Sequence, residues 1–295
     1  MRSLLFVPGD SPRKLDKAMA SGADVILVDL EDSVGAAAKA AARATAAAFL
    51  VAARPVAERP RLYVRVNALT SGLIDDDLAA VMGAAPDGIL LPKAVGGRDV
   101  THLDAKIAVR EAMEGLPDGA TAILALGTET AAALFALGTF QGASRRLRGL
   151  AWGAEDLSAD LGASRQRGPD GGFTDTFRLA RSLCLAAAVA AGVAPIDGVY
   201  PAFRDLDGLA AEARDAAADG FTAKLAIHPD QVAIINAAFM PSAAEIAEAR
   251  RILAAFDAAG AAAGVVSLDG GMLDLPHRLR AARVLARAAA VAPAG

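Results

Sequence analysis

Eight short apolar runs, each ending in polar or Gly/Pro residues and followed by an Ala-rich stretch, punctuate the chain at near-constant spacing. They are LLFVPGD from Leu4, VILVDLED from Val25, LYVRVN from Leu62, GILLPK from Gly88, AILALGTET from Ala122, GLAWGAED from Gly149, IDGVYP from Ile196 and AKLAIHP from Ala223. From Leu4 to Ala223 the seven intervals cover 219 residues, about 31 per unit, the length of a strand plus a crossover helix. The runs do not alternate apolar with polar, as expected of parallel strands buried on both faces. The intervening segments, such as 36–53, are dense in Ala, the strongest helix former, with Lys39 and Arg43 spaced i, i+4 on what reads as a wet face. Eight such units point to an α/β fold closed as a (β/α)8 TIM barrel, and the absence of a G-x-G-x-x-G turn argues against an open dinucleotide-binding sheet.

The barrel accounts for residues 1–240, a catalytic domain. Residues 241–295 form a C-terminal helical extension: a helix over 241–259, a short extended segment GVVSLDGGMLD with a Gly-Gly turn, and a last helix opened by Pro276. Such an extension is expected to pack on a neighbouring subunit. With 54% hydrophobic and 22% charged residues the chain can fill a core, and disorder is excluded. Its net charge of −4, without a basic patch interleaved with aromatics, speaks against nucleic acid and anionic membrane as partners. The apolar start before Pro8 is too short for a signal peptide, and the apolar stretch 182–196 reads as a buried helix with its exit turn. The lone Cys184 fits a reducing compartment, so the expected location is cytoplasmic.

In a barrel of this kind the chemistry gathers at the carboxyl ends of the strands. Here those ends carry Asp10; Asp29, Glu31 and Asp32; Arg65 and Asn67; Lys93; Glu129; Glu155 and Asp156; Tyr200; and His228. Any one could simply cap a strand where it meets water, but charges on seven or more of eight strands converge on one mouth. Glu129 and Asp156 end adjacent strands, and two carboxylates without Cys or His suit a hard, oxygen-preferring ion such as Mg2+, with positions left for substrate oxygens. Zinc is disfavoured, because His102, His228 and His277 are the only histidines and no two have ligand spacing. Arg65 offers a planar fork for a carboxylate or enolate oxygen, or pairs with Asp29 or Glu31. Lys93 is either an imine-forming lysine or, more in keeping with its acidic neighbours, a salt-bridged one. Gly9 and Asp10 precede a helix carrying Arg13 and Lys14, an arrangement open to phosphates or to an ordinary turn. His228 is held by Pro229 at the last strand.

The motifs RSLLFVPGDSPRKLDKA, GADVILVDLEDSV, VRVN, LPK, TETAAAL, WGAEDLSADLG, IDGVYPAFRDLDGL, AKLAIHPDQV and DGGMLDLP, in this order, resemble the citrate lyase β-subunit-like (CitE-like) acyl-CoA lyases of the HpcH/HpaI aldolase family. The resemblance implies a homotrimer or dimer of trimers. It also implies a Mg2+-dependent lyase that cleaves or forms a 3-hydroxyacyl-CoA, such as malyl-CoA or citramalyl-CoA, from an acyl-CoA and a 2-keto acid. By motif position Glu129 and Asp156 would be the metal ligands. Arg65, Glu31 and Asp32 would be catalytic, with Asp274 as an acid/base reaching a neighbouring subunit's site. Arg65, Gly9, Asp10, Arg13, Lys14, Lys93 and His228 would bind substrate. The sequence departs from the family pattern at Gly271, where a basic residue is usual, and at Ala223, where a glycine is usual. Four other outcomes stay open: a malyl-CoA thioesterase using the same site, a citrate lyase β subunit acting on an acyl-carrier-protein thioester, an aldolase of CoA-free acids, and a catalytically silent scaffold.

Overall fold

The computed structural model describes residues 1–260 and 263–289. The chain divides into two compact units, Arg2–Asn236 and a second formed by Met1 with the residues from Ala237 onward.

In the first unit strands and helices alternate: β1 (Ser3–Pro8), α1 (Pro12–Met19), β2 (Val25–Asp29), α2 (Lys39–Ala53), β3 (Arg61–Arg65), α3 (Ile74–Val81), β4 (Gly88–Leu91), α4 (Gly97–Met113), β5 (Ala122–Leu126), α5 (Ala131–Ala136), β6 (Leu147–Ala151), α6 (Glu155–Leu161), α7 (Asp175–Ala190), β7 (Ala194–Asp197), α8 (Leu206–Asp219), β8 (Ala223–Ala226) and α9 (Asp230–Ala238). All eight strands are parallel, and β8 pairs back onto β1 through Ser3↔Lys224 to Leu5↔Ala226, closing the barrel. Val25, Ile26, Leu27 and Val28 of β2 are wholly buried, as a strand covered on both faces requires. The helices lie on the sheet through small side chains: α2 buries Ala42, Ala46, Leu50 and Ala53, a stripe of helical period.

Several details differ from the sequence expectation. β6 and β7 each begin two residues before the expected Gly149 and Ile196, because Leu147 and Ala194 already pair with the neighbouring strands. The apolar stretch 182–196 is the second half of α7 with its exit turn, as expected, but its last three residues already begin β7. Lys39 and Arg43 do not face water. The Lys39 ammonium donates to the carbonyls of Leu30 and Glu31, both at 2.7 Å, and Arg43 donates to the buried Asp77 carboxylate at 2.7 Å. Two carbonyls of the turn after β2 and a buried acid draw these cations inward, which i, i+4 spacing cannot reveal. Among the described residues two helical windows, 36–53 and 230–259, have the length and composition of a membrane span. The first is the turn before α2 with α2 itself; the second contains two helices separated by a break.

The second unit contains α10 (Ala243–Ala259), the hairpin β9 (Val265–Leu268) and β10 (Gly271–Asp274), and α11 (Leu275–Ala289). Ser242 and Glu245 cap α10 reciprocally, and Arg278 of α11 lies over the buried Phe256 ring of α10. The hairpin turns at Asp269–Gly270, both with positive φ (51° and 78°), and Gly271 already belongs to β10, so the turn is Asp-Gly and not Gly-Gly. Two central residues with positive φ give the turn whose twist matches the strands, and Asp-Gly suits it well.

On the outer side of the sheet a buried ionic network ties β6, β7 and β8 together. Asp197, the last residue of β7, accepts from Trp152 Nε1 (2.7 Å), Arg181 Nε (2.8 Å) and Lys224 Nζ (2.6 Å). Lys224 also reaches Glu212 of α8 at 3.0 Å. Burial alone would raise the Asp197 pKa, but the Lys224 and Arg181 charges and hydrogen bonds together bring it down to about 2. With the folded pKa below the unfolded one, the ionised carboxylate stabilises the fold above about pH 4, by about 2 kcal/mol for a shift of this size, and that contribution is lost as pH falls towards 2. Asp197→Asn, which removes the buried acid shared by Arg181 and Lys224 and leaves them only Asp219 and Glu212, should cost about 3 kcal/mol at pH 7 in urea denaturation, and the gap to the native sequence should narrow between pH 4 and pH 2. Equal urea midpoints at pH 7 would contradict this role.

Candidate active site

The mouth of the barrel is built outward from Asp29. Strands β2 and β3 pair with Asp29 opposite Arg65, so the two side chains emerge side by side. The Arg65 fork donates Nε to Asp29 Oδ1 and Nη2 to Asp29 Oδ2, both at 2.7 Å. Burial works against the Asp29 carboxylate, yet Arg65 and the groups of Ser33 and Glu31 hold its pKa below the usual value. Asp29 also accepts the backbone N–H of Glu31 (2.9 Å) and of Ser33 (3.3 Å), which folds the segment after β2 back over the mouth. Lys39 pins the same segment from α2. Gly9 is required beneath it: its N–H donates to the Asp29 carbonyl at 2.8 Å, and a Cβ there would lie 2.8 Å from that oxygen.

Glu31 is thereby aimed at two cations. Its Oε1 is 2.5 Å from Lys93 Nζ, and its Oε2 is 2.8 Å from Arg65 Nη1. The second contact is an ion pair without hydrogen-bond geometry, so Oε2 is a buried acceptor that receives no hydrogen bond. Burial outweighs the two cations and raises the Glu31 pKa. Lys93 Nζ also lies 3.1 Å from Asp32 Oδ2 and 3.3 Å from Asp156 Oδ1. Its backbone N–H donates to Glu129 Oε2 at 2.5 Å, from a residue held at φ 52°.

Glu129 occupies the bend between β5 and α5. Gly127 N–H bonds the Ala151 carbonyl (3.0 Å), Thr128 Oγ1 accepts from Gly153 N–H (3.1 Å), and Thr130 caps α5. The Glu129 side chain packs against Gly153, where a Cβ would lie 3.0 Å from its Cγ and 3.2 Å from its Oε1. Burial, offset in part by the Lys93 N–H and reinforced by the charges of Asp156 and Glu31, pushes the Glu129 carboxyl up to about 8. Asp156 belongs to the first turn of α6, on the adjacent stave.

The fold therefore brings together Glu31, Asp32, Arg65, Lys93, Glu129 and Asp156, with Gly9 beneath them. Lys93 is salt-bridged to three acids, the reading its neighbours favoured over an imine. Asp10, Arg13 and Lys14 are exposed at the start of α1 and have no ion-pair partner among the described residues. His228 stacks on Phe203 with ring centroids 4.9 Å apart and accepts the Asp230 N–H at 3.2 Å. Asp274 ends β10 in the second unit, its Oδ1 2.5 Å from His277 Nδ1, and that contact lowers its pKa. Sequence reading did not single out Gly153 or the Asp197–Lys224 pair, placed Lys39 on a wet face and named His277 only as one of three histidines. Only Lys224 left a trace, as a lone charge inside an apolar run.

As a cation site, Glu129 and Asp156 supply oxygen donors alone. Glu129 Oε2 takes up one N–H, and its Oε1 faces the space kept open by Gly153. Burial first, and then the charges of Asp156 and Glu31, raise the Glu129 pKa, and a divalent cation would offset both. No cluster of three or more His, Cys, Asp or Glu side chains forms a closed metal cage among the described residues. Two carboxylates with the other positions left to water and substrate suit Mg2+, which keeps much of its hydration.

Comparison with known proteins identifies the family. The profile of the HpcH/HpaI aldolase/citrate lyase family matches residues 2–229, and that of the C-C bond lyases of the TIM-barrel fold matches residues 176–292. The (3S)-malyl-CoA thioesterase of Cereibacter sphaeroides is 39% identical over 295 residues, covering 100% of this chain and 96% of its own. A citrate lyase subunit beta-like protein of Mycobacterium tuberculosis is 38% identical over 96% of this chain and 94% of its own. The crystal structure of the protein CitE from Mycobacterium tuberculosis, in complex with magnesium, acetoacetate and coenzyme A, superposes with a TM-score of 0.78 at 36% identity over 98% of both chains. Strand-end carboxylates on a closed parallel barrel and end-to-end similarity agree: the chain belongs to the HpcH/HpaI aldolase/citrate lyase family and is an enzyme of that lyase type.

Proposed function

We propose that the chain is a Mg2+-dependent carbon-carbon lyase that splits a 3-hydroxyacyl-CoA, such as malyl-CoA or citramalyl-CoA, into an acyl-CoA and a 2-keto acid, or joins them. The observation that carries this reading is the meeting of Glu129 and Asp156 from adjacent staves beside an arginine already braced by two acids. Magnesium bound in the crystal structure of the similar CitE supports it. Glu129 and Asp156 would hold Mg2+, which supplies a Lewis acid for the oxygen that becomes a carbonyl as the C–C bond breaks.

Each remaining group has a task set by its geometry. Glu31 Oε2, buried and without a hydrogen bond, accepts the substrate's 3-hydroxyl proton. Asp32 shares Lys93 with Glu31 and keeps that ammonium against it. Arg65, fixed by Asp29, presents its positive face to the substrate carboxylate and the thioester oxygen as it takes on enolate charge. Lys93 and His228 line the binding set, while Gly9 and Asp10 form the turn that sets the unpaired, exposed cations Arg13 and Lys14 towards the phosphates of coenzyme A. The proton that converts the enolate carbon to acyl-CoA comes from Asp274, with His277 holding its carboxyl, delivered into the site of a neighbouring copy in a homotrimer or dimer of trimers. A reducing cytoplasm suits both the substrate and the free, buried Cys184.

A second reading has its own support: the malyl-CoA thioesterase relative is similar along the whole chain. Thioester hydrolysis yields free malate and CoA, whereas lysis yields glyoxylate and acetyl-CoA, so product analysis with malyl-CoA separates them. A citrate lyase β subunit would act instead on an acyl-carrier-protein thioester.

Glu129→Gln and Asp156→Asn should each abolish Mg2+-dependent cleavage while leaving the circular-dichroism spectrum intact; undiminished turnover in either variant would refute the metal assignment. Asp274→Asn should lower kcat by about 100-fold or more, as expected on losing a general acid, with Mg2+ affinity unchanged by calorimetry.

A further inference from the structure

Lys93 combines two features that an ordinary strand-to-helix turn does not need. Its φ of 52° places a side-chain-bearing residue in the left-handed region, a conformation that persists only where surrounding contacts impose it. From that backbone its N–H reaches Glu129 Oε2 at 2.5 Å while its ammonium reaches Asp156 Oδ1 at 3.3 Å. One residue therefore holds both proposed cation ligands, one by its main chain and the other by its side chain.

The two cations of the mouth are not equivalent. Arg65 is 12% exposed and locked by a two-point fork on Asp29. Lys93 is 30% exposed, and lysine is a point charge on a flexible stem, able to shift between acceptors without breaking a planar fork. Its contact with Asp156 is also its longest, against 2.5 Å to Glu31 and 3.1 Å to Asp32, so it can be given up while the other two hold the ammonium in place.

We infer that the Lys93 ammonium is the resident counter-ion of the mouth: it occupies Asp156 when no divalent cation is bound and competes with that cation for the same carboxylate. The inference rests on the cation site proposed above and adds a sign to it. If Lys93 were a simple brace, removing it would loosen the ligands and weaken cation binding. As a competitor, its removal strengthens binding, because the like charge disappears and excess carboxylate remains.

The test uses the full chain as wild type, Lys93→Met and Lys93→Arg, with Mg2+ titrated calorimetrically and thermal unfolding followed in EDTA and in Mg2+. Lys93→Met keeps the N–H to Glu129, and its Mg2+ dissociation constant is expected to tighten about tenfold, the scale of losing one partly exposed charge contact. Its Tm should fall in EDTA and recover in Mg2+, a larger Mg2+-induced rise than in wild type. Lys93→Arg, which keeps the charge, should bind within about twofold of wild type. Binding by Lys93→Met that is unchanged or weaker, with wild type binding normally, overturns this inference and leaves the cation site standing. No binding in any of the three proteins overturns both. Should Lys93→Met fail to fold without metal, the protein purified in Mg2+ must be folded and must unfold on chelation; failure in Mg2+ as well overturns the inference.

Discussion

Excess negative charge, enforced by the closure of the barrel, governs this molecule. Eight parallel strands point their carboxyl ends to one mouth, and there Asp29, Glu31, Asp32, Glu129 and Asp156 face only Arg65 and Lys93. Each cation is shared between acids, and Glu129, buried and among the described residues without an ion-paired cation of its own, has its pKa pushed far above that of a free carboxyl. Such an arrangement costs stability unless something positive completes it. That excess is what the proposed divalent ion would complete, with Asp29 spent on orienting Arg65 and not on chemistry.

Rigidity around that charge comes from outside the mouth. Lys39 fastens the segment that presents Glu31, and the Thr128–Gly153 hydrogen bond fixes the bend bearing Glu129. Asp197 holds the Trp152 indole four residues before Asp156. These contacts anchor the loops from which the acids emerge, so the carboxylates cannot spread apart to relieve their repulsion. Preorganisation of this kind lets electrostatic stabilisation act without further rearrangement as charge moves.

Much of this was legible in the sequence, for physical reasons. Strands buried on both faces must be continuously apolar, so eight runs at even spacing identified the barrel, and a charge at the end of such a run is costly enough to stand out. That is why Glu31, Asp32, Arg65, Lys93, Glu129 and Asp156 could be picked without coordinates. Pairing was not legible. Whether Arg65 met Asp29, Glu31 or substrate depended on strand register, and whether Lys39 faced water depended on where the turn after β2 places its carbonyls. The Asp-Gly turn of the hairpin was displaced by one residue from the Gly-Gly reading because Asp269, not Gly271, takes the positive φ. Gly153 gave no signal, since the need for a missing Cβ appears only when Glu129 is packed against it.

A lyase and a thioesterase can share this mouth, since both need a polarised oxygen and a braced arginine; the shared cation is the premise of each. Anomalous diffraction from crystals soaked in Mn2+ tests that premise most directly. A single strong peak at direct ligand distance from both the Glu129 and the Asp156 carboxylates is expected. A peak bound elsewhere, or none between these two side chains at saturating Mn2+, would contradict it.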